Sequence, residues 1–373
     1  PTRHSTFLRC DDALVFDRLH RRWWSVGRGR DLMDACRRAP EPAPPVVHIG
    51  PVRSTTGREK YQARVERVLE YIRAGDVYQV NLAHRLVGHF SGSARSLFQT
   101  LVEHAQPWYG AYLELQPSSA GVSARPDVRE DPIRARNALI SMSPELFLTF
   151  DARTRAVLTR PMKGTRPGTG SADELLAAPK DNAELAMIVD LMRNDLGRVC
   201  SFGSVRVQQP RIVERHGDVV TGAGACIESS GILQAVAEIR GSLRTGLGLA
   251  DLLAATFPGG SVTGAPKIRA MRIIDELEPM CRGAYCGCFG YVSDGGRSAF
   301  NIAIRTALVC GHAGPTGLDE IGDGTLAYSV GAGIVADSDP QAEYDETRNK
   351  ARAALRAIAL AEHVAKALDR PLI

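Results

Sequence analysis

The apolar residues of this chain recur at two spacings. Residues 58–75 place apolar side chains three and four positions apart, as an amphipathic helix does, whereas residues 76–86 alternate between apolar and polar positions, as a half-buried strand does. The same patterns predict helices over 58–75, 94–105, 180–195, 249–255, 265–277 and 340–367, and strands over 76–86, 109–116, 138–142, 145–150, 155–160, 284–293, 299–309 and 325–335. Because the strands come mostly in consecutive pairs separated by helices, the order favours antiparallel sheets covered by helices over a doubly wound parallel sheet.

The N-terminal residues differ in pattern from the rest of the chain. Residues 1–36 read as strands and turns, and residues 37–58 contain five prolines, which is typical of a linker. We therefore predict an N-terminal segment over 1–57 and one large domain over 58–373. Because Pro1 falls inside an apparent strand, we expect the N-terminal segment to be the remainder of a longer region.

The composition is that of a globular protein. Of 373 residues, 44% are hydrophobic and 24% are charged, and the formal net charge is +4. Acidic and basic residues are interleaved and only 6% of residues are aromatic, so the clustered basic stripe of a nucleic-acid-binding protein is missing. No run approaches the roughly 18 apolar residues of a membrane span, and the first residues lack the apolar core of a signal peptide. We therefore expect a cytoplasmic protein that binds neither nucleic acid nor a membrane.

Lysine is scarce, with six residues against 40 arginines, at positions 60, 163, 180, 267, 350 and 366. A primary amine can lose its proton in a protein, whereas a guanidinium cannot. A chain that prefers arginine this strongly therefore has reason to keep a lysine where that property matters. Four of the six lysines fall in the motifs described below.

Neither the cysteines nor the histidines show metal-binding spacing. The eight cysteines form no CxxC pair, and the nine histidines form no HxxxH or HExxH motif. Cys286 and Cys288 alternate along an apparent strand and, with Cys281, offer a conceivable metal site. Reduced cysteines packed as small apolar side chains explain them better, because the ligand spacing is absent. A zinc enzyme is disfavoured.

Two glycine-rich segments partly match nucleotide-binding loops. Residues 259–267 open a predicted helix but lack the GxxxxGK[ST] spacing of a P-loop. Residues 331–336 match GxGxxA, yet their apolar alternation continues through the glycines, whereas a dinucleotide site needs the glycines at the turn from strand to helix. A glycine-rich strand that lets a ligand approach the backbone explains residues 331–336 better.

Acidic residues recur on two predicted helices. Glu343, Glu346 and Lys350 share one face of the last helix, and Glu184 lies on the helix over 180–195. Each set is consistent with an ordinary solvated helix face. Glutamates from two facing helices would instead bind a hard dication such as Mg²⁺. Spacing alone leaves both interpretations open.

Seven sequence blocks follow one another in a fixed order. They are GDVYQVNL (75–82), MSPELFL (142–148), RPMKGTRPG (160–168), KDNAELAMIVDLMRNDLGR (180–198), GGSVTGAPKIRAM (259–271), GYVSDGGRSAFNIAIRTALV (290–309) and SVGAGIVADSDPQAEYDETRNKA (329–351). Together they resemble the chorismate-utilising family, the catalytic subunits of anthranilate, aminodeoxychorismate, isochorismate and salicylate synthases. The resemblance implies an α/β (α+β) fold like that of anthranilate synthase component I, with two stacked, largely antiparallel β-sheets between helical layers and the active site between the sheets.

Lys163 separates the branches of this family. Aminodeoxychorismate synthase component I has the motif P-I-K-G-T, and the other branches have alanine in place of its lysine; this chain reads PMKGT at 161–165. The resemblance implies that the Lys163 amine attacks C2 of chorismate as the C4 hydroxyl leaves, and that ammonia then attacks C4. Such a lysine must lose its proton, which a closed, apolar site favours.

The resemblance also implies roles for the acidic residues. Glu145 resembles the general acid that protonates the departing hydroxyl, a role that requires a carboxyl group whose pKa is raised by burial. Glu184 and Glu346 resemble the Mg²⁺ ligands, with Glu343 close by. The ion would hold the C1 carboxylate of the substrate.

Substrate-binding positions follow from the same resemblance. Tyr291 and Arg305 resemble the pair that binds a carboxylate, to which arginine can donate two parallel hydrogen bonds. Gln79 stands where the isochorismate and salicylate synthases have a water-activating lysine. Because an amide cannot act as that base, water addition at C2 is disfavoured. The other predicted pocket positions are Thr263, the backbone at Ala332 and Gly333, and Lys350.

One block departs from the family pattern. Family members usually carry His-Leu-Val-Ser shortly before V-x-G-x-L, whereas this chain reads QAVA at 234–237. A glycine- and serine-rich stretch at 214–232, predicted to be an insertion, precedes it and contains His216. Either Gln234 replaces the family histidine, or His216 supplies it.

The resemblance therefore predicts the aminodeoxychorismate synthase component I reaction, in which chorismate and ammonia give 4-amino-4-deoxychorismate on the route to p-aminobenzoate, with Mg²⁺ as cofactor. Ammonia would come from a glutaminase subunit or fused glutaminase domain, because no cysteine here lies in a glutaminase nucleophile motif. The alternative is anthranilate synthase component I. A non-catalytic chorismate-binding subunit would require a missing catalytic group, and only the histidine is in question.

Overall fold

The structure is a computed structural model that describes residues 6–17, 20–38, 47–115, 135–216, 232–314 and 320–351. It divides into two compact units, Pro1–Pro45 and Val46–Ile373. The smaller unit contains an antiparallel hairpin of β1 (Ala13–Asp17) and β2 (Arg22–Val26), followed by helix α1 (Gly29–Arg38). The hairpin agrees with the strands and turns predicted over 1–36, whereas the helix was not predicted.

The larger unit carries the other strands and helices. Its strands are β3 (Val47–Ile49), β4 (Arg53–Ser54), β5 (Gln79–Ser93), β6 (Ala111–Leu115), β7 (Ala135–Ser141), β8 (Leu146–Asp151), β9 (Ala156–Arg160), β10 (Met162–Pro167), β11 (Arg206–His216), β12 (Ile232–Ser242), β13 (Gly264–Ala265), β14 (Gly290–Val292), β15 (Arg297–Asn301), β16 (Thr306–Ala313) and β17 (Glu320–Ile334). Its helices are α2 (Arg58–Arg73), α3 (Ala94–Ala105), α4 (Ala172–Ala177), α5 (Pro179–Gly197), α6 (Leu249–Thr256), α7 (Lys267–Leu277) and α8 (340–351, where the described residues end).

Eight described strands of this unit form one sheet. Their order is β13-β5-β17-β16-β7-β6, with β3 and β4 also paired to β5. The longest pairing joins β5 to β17 in antiparallel register and aligns Gly333 with Asn81 and Gly331 with Ala83. The glycine-rich segment is therefore a central strand, as its apolar alternation predicted.

Seven described strands form the second sheet. Their order is β10-β12-β9-β8-β15-β14, with β11 also paired to β12, and these pairs too are antiparallel. β12 pairs with β10 through its first half, with β9 through its last residues, and with β11 along most of its length. This arrangement places β10, which carries the PMKGT motif, at one end of the sheet.

Helices bury the outer faces of both sheets. α2 and α7 pack against β5 and β17 around a core that includes Tyr61 and Ile273. α5 and α6 pack against the seven-stranded sheet around a core that includes Ile188 and Leu252. Burial of these apolar side chains is the main favourable contribution to folding.

The predicted fold class, helices combined with largely antiparallel sheets, is confirmed. The predicted strand over 284–293 is confirmed only over β14, since residues 283–286 form a turn in which Cys286 has a positive φ of 64°. The predicted strand over 299–309 is divided into β15 and β16, and Arg305 between them has a positive φ of 51°, outside the strand region. The periodicity also failed to predict β10, β11 and β12. The side chains of β10 and β11 are mostly polar or partly exposed, whereas β12 is buried along most of its length and so does not alternate.

The division into units falls earlier than the predicted boundary at residue 57. β3 and β4 pair with β5 and so belong to the larger unit. Most of the predicted insertion, residues 217–231, and the predicted helix beyond 351 lie outside the described residues. Within the described ranges, no helix is long and apolar enough to cross a membrane.

Candidate active site

Lys163 projects from β10 toward the other sheet. Gly164 follows it with a φ of 80° at a shift in the β10–β12 register, and a β-carbon there would lie 2.9 Å from Cγ of Asp181. Only glycine combines that backbone conformation with so close a neighbour. A β-carbon placed on Gly333 of β17 would lie 3.1 Å from Nζ of Lys163, so the absence of a side chain at Gly333 makes room for the amine.

Gln79 lies beside Lys163 at the same glycine. Its side chain is fully buried, and its Nε2 would be 2.7 Å from a β-carbon on Gly333. Neither Nε2 nor Oε1 has a hydrogen-bond partner among the described residues. Because an unsatisfied buried amide is costly, a fully buried amide without partners indicates a site that a ligand completes.

Glu145 sits in the turn between β7 and β8 and is only 4% exposed. Burial raises its pKa to about 7, and that effect outweighs the opposing hydrogen bond from Ser261 and the charge of Lys163. The hydroxyl of Ser261 donates to Oε1 of Glu145 over 2.8 Å. A carboxyl group with this pKa is able to act as a proton donor near neutral pH.

The loop that holds Ser261 is fixed to the body of the unit by Lys267. The Lys267 ammonium donates to the carbonyl oxygens of Thr256 and Pro258 over 2.9 and 3.0 Å and lies 2.6 Å from Oδ2 of Asp195 on α5. Thr263, which is 4% exposed, donates its hydroxyl to the carbonyl of an earlier residue of the same loop. Its predicted pocket position is thus at the end of a tightly held loop.

Arg305 lies near Glu145, between β15 and β16. Burial lowers the pKa of its guanidinium, and the charge of Glu145 partly opposes that effect. The backbone carbonyl of Arg305 accepts a hydrogen bond from Met142 over 2.9 Å, which ties the residue to the end of β7.

The structure does not bring Tyr291 to this group, which corrects the prediction for that residue. Tyr291 lies on β14, the edge strand of its sheet, and is 59% exposed. Tyr285 lies six residues earlier in the chain and reaches the central strand β17 instead. Its hydroxyl would be 3.0 Å from a β-carbon placed on Gly331. Burial raises the pKa of Tyr285 well above its usual value.

Three glutamates and three lysines, one of which is Lys163, form one cluster. Each glutamate is paired with a lysine: Glu184 with Lys163 at 3.2 Å, Glu343 with Lys180 at 3.0 Å, and Glu346 with Lys350 at 2.6 Å. Lys350 also donates to the carbonyl of Gly331 over 2.9 Å. The predicted metal ligands on α5 and α8 therefore face each other. Ala332, a predicted pocket position on β17, is fully buried.

The predicted Mg²⁺ ligands all lie in this cluster. No group of three or more His, Cys, Asp or Glu side chains arranged to hold a metal occurs in the part of the chain that the structure describes. The donor chemistry nevertheless fits, because Oε2 of Glu343 is buried and has no hydrogen-bond partner among the described residues. The pKa of Glu346 is lowered, since the charges of Lys350, Lys163 and Lys180 together outweigh its burial. Lysine ammonium groups thus occupy the space among the carboxylates.

Gln234 and His216 occupy different places in the sheet. Gln234 pairs with Thr165 of β10 and donates to its hydroxyl over 3.4 Å. His216, at the end of β11, packs its ring against Trp108 with centroids 4.3 Å apart, and its Nε2 lies 3.7 Å from Glu214. Gln234 therefore lies on β12, the strand that pairs with the strand of Lys163, whereas His216 lies on β11.

Sequence reasoning missed three residues of this site: Ser261, Tyr285 and Lys180. Ser261 and Lys180 lie inside blocks already recognised, and Tyr285 lies in the segment that contains Tyr291. Their contacts are between residues distant along the chain, so spacing gave no signal for them.

The sequence profile described as chorismate binding enzyme matches residues 2–356. Anthranilate synthase component 1 of Thermus thermophilus is 37% identical over 375 residues, covering 95% of this chain and 71% of that protein. Aminodeoxychorismate synthase component 1 of Escherichia coli K12 is 38% identical over 310 residues, covering 81% of this chain but only 58% of that protein.

Among solved structures, the crystal structure of anthranilate synthase component I from Streptococcus pneumoniae superposes with a TM-score of 0.69 at 27% identity. The match covers 92% of this chain and 72% of that chain.

Proposed function

Because this chain belongs to the family of chorismate binding enzymes, we propose that it converts chorismate and ammonia to 4-amino-4-deoxychorismate, as aminodeoxychorismate synthase component I. The observation that carries the proposal is the placement of the Lys163 amine. It lies between the two sheets, against Gly333 and within reach of Glu184. A primary amine in such a position is a nucleophile that the alanine of the other branches cannot replace.

Lys163 first loses its proton to solvent, and in the proposed first step the neutral Nζ forms a bond to C2 of the ring. The ring double bond shifts and the C4–O bond breaks, while Glu145 gives its proton to the leaving hydroxyl, which departs as water. Burial suits Glu145 to this step, because it raises the pKa of the carboxyl to about 7. Ser261, 2.8 Å away, holds the carboxyl in place.

In the second step ammonia attacks C4, and the bond between C2 and Nζ of Lys163 breaks. The double bond returns, so the new amino group stands at C4 and the lysine amine is regenerated. The surplus proton of the attacking ammonia returns to the ionised carboxylate of Glu145. Two displacements explain how nitrogen enters at C4 although the lysine attacks at C2.

Substrate orientation is assigned to Arg305, Lys350 and Tyr285. Arg305 would donate two hydrogen bonds to a substrate carboxylate. Lys350 already donates to Gly331, near the hydroxyl of Tyr285, and the two would line the same wall of the pocket. The buried amide of Gln79 has unused hydrogen-bonding capacity for the substrate or for ammonia.

Glu184, Glu343 and Glu346 would hold Mg²⁺. The bound ion would neutralise the carboxylate on the ring and the charge that develops during the reaction. Ammonia would be delivered by a glutaminase subunit or domain.

Anthranilate synthesis is the second candidate, because the relative from Thermus thermophilus is an anthranilate synthase component 1 at nearly the same identity as the aminodeoxychorismate synthase component 1 of Escherichia coli. The two activities differ in their products. Incubation with chorismate, ammonium and Mg²⁺ followed by NMR should show 4-amino-4-deoxychorismate. Anthranilate and pyruvate formed without an added lyase would overturn the proposal in favour of the second candidate.

A further inference from the structure

Lys180 lies among the predicted metal ligands, although neither the sequence nor the proposed reaction gives it a role. It stands in the first turn of α5, with Nζ 3.0 Å from Oε1 of Glu343 on α8 and 4.0 Å from Oε1 of Glu184 on its own helix. Its ammonium therefore bridges two carboxylates that come from separate helices. That is the arrangement expected of a cation site.

Glu343 indicates that this place suits a cation with more bonding capacity than a lysine has. The residue is 2% exposed, and its Oε1 accepts hydrogen bonds from Lys180 and from Ser338. Its Oε2 is buried and has no hydrogen-bond partner within the described ranges. A buried carboxylate oxygen without a partner is costly, and a metal ion satisfies it.

The charges of the cluster balance when Lys163 is protonated. Three glutamates face three lysines, so the cluster as a whole offers a dication little net attraction. The ammonium of Lys180 can move away from the carboxylates more easily than that of Lys163, because the Lys180 side chain is 50% exposed and the Lys163 side chain is 17% exposed. Once Mg²⁺ neutralises the carboxylates in its place, a half-exposed lysine on a four-carbon stem can turn its ammonium into water.

We propose that Lys180 is a built-in competitor for the Mg²⁺ site: its ammonium neutralises Glu184 and Glu343, is displaced when Mg²⁺ binds, and so keeps the Mg²⁺ affinity low. This inference rests on the metal site of the proposed function. Its consequence is that Lys180 sets the Mg²⁺ concentration at which the site fills.

The test is direct binding of Mg²⁺ by calorimetry and of Mn²⁺ by electron paramagnetic resonance, without substrate, so that turnover is not the readout. Lys180→Met removes the charge and keeps most of the stem, Lys180→Arg keeps the charge, and Lys60→Met removes an exposed lysine from α2. Repulsion between an ammonium and a dication a few ångströms apart predicts that Lys180→Met tightens binding by about tenfold or more. Lys180→Arg and Lys60→Met should bind as the unmodified chain does.

Equal or weaker binding by Lys180→Met, in protein that circular dichroism shows to be folded at the temperature of the titration, would overturn the proposal. In Lys180→Met, the further change Glu343→Gln should remove the gain in affinity, and a gain that persists would also contradict it. Failure of the metal site itself is distinguishable. In that case neither the unmodified chain nor Lys180→Met binds either ion at the site, and Glu184→Gln changes nothing in both ion titrations.

Discussion

Nζ of Lys163 lies 3.2 Å from Oε2 of Glu184, so the predicted nucleophile and a predicted metal ligand form an ion pair. Both side chains are largely buried, with exposed fractions of 17% and 12%. The carboxylate of Glu184 can therefore pair with the lysine or bind a metal ion, and the two interactions compete. Any cation that engages Glu184 changes the surroundings of the Lys163 amine.

The first prediction concerns Glu346 as a metal ligand. Glu346→Gln removes a charged oxygen while keeping the shape of the side chain, so the Mg²⁺ concentration that gives half-maximal chorismate turnover should rise about tenfold or more. The free energy of unfolding should change by less than about 1 kcal/mol, because the pair with Lys350 is half exposed. Glu66→Gln, on the exposed face of α2, is the control. Full activity of Glu346→Gln at the same Mg²⁺ concentration would contradict the assignment.

A second prediction follows from the burial of Glu145. Its pKa is about 7 in the folded chain against an ordinary value of 4.5, so the protonated carboxyl stabilises the fold below pH 4.5 and this contribution is lost as the pH rises through 7. Glu145→Gln, which stays neutral, should therefore gain stability relative to the unmodified chain above pH 7, by as much as about 3 kcal/mol. Urea unfolding at pH 5 and pH 8 measures this difference. Parallel pH dependence of the two proteins would show that Glu145 does not titrate in this range.

The pair of Lys267 and Asp195 supplies a third prediction. Their side chains are 13% and 3% exposed, so Lys267→Met leaves a buried carboxylate without its counter-ion and should cost about 3–5 kcal/mol of unfolding free energy. The double variant Lys267→Met with Asp195→Leu should recover part of that loss, because no charge remains buried. Chemical unfolding measures both. If Lys267→Met lowers the free energy of unfolding by less than about 1 kcal/mol, the pair does not stabilise the loop that holds Ser261.

The nitrogen source gives a fourth prediction. The chain alone should make product from ammonium salts at raised pH, where free NH₃ is present, and should use glutamine only after a glutaminase is added. Product formation can be followed by mass spectrometry with ¹⁵N-labelled ammonium or glutamine. Glutamine-dependent turnover by the isolated chain would exclude a separate ammonia supplier.

The sequence predicted those elements whose burial is one-sided. α2 and α3 begin and end within two residues of the predicted helices, because one face of each packs in the core and carries the apolar residues. β10 and β11 were not predicted, because strands with mostly polar or half-exposed side chains give no alternating signal. β12 was not predicted because consecutive buried residues on both of its faces give no alternation either.

The candidate site was predictable only as far as the recognised blocks reach. They supplied Lys163 and Glu145, but Tyr285 and Tyr291 are six residues apart in one segment, and only their burial in the fold distinguishes them. Contacts such as that of Lys180 with Glu343 join residues 163 positions apart, and no local pattern encodes them.

The central claim is that the amine of Lys163 becomes bonded to the ring of chorismate. Incubation with chorismate and Mg²⁺ without ammonia should leave a population of protein heavier by chorismate less one water, and peptide mass spectrometry should place the added mass on Lys163. Lys163→Arg and Lys163→Ala should both form no adduct and no 4-amino-4-deoxychorismate, because a guanidinium stays protonated and cannot attack and alanine has no amine. The account is contradicted if Lys163→Arg makes 4-amino-4-deoxychorismate at the unmodified rate, or if no adduct maps to Lys163 in a preparation that turns over chorismate once ammonium is added.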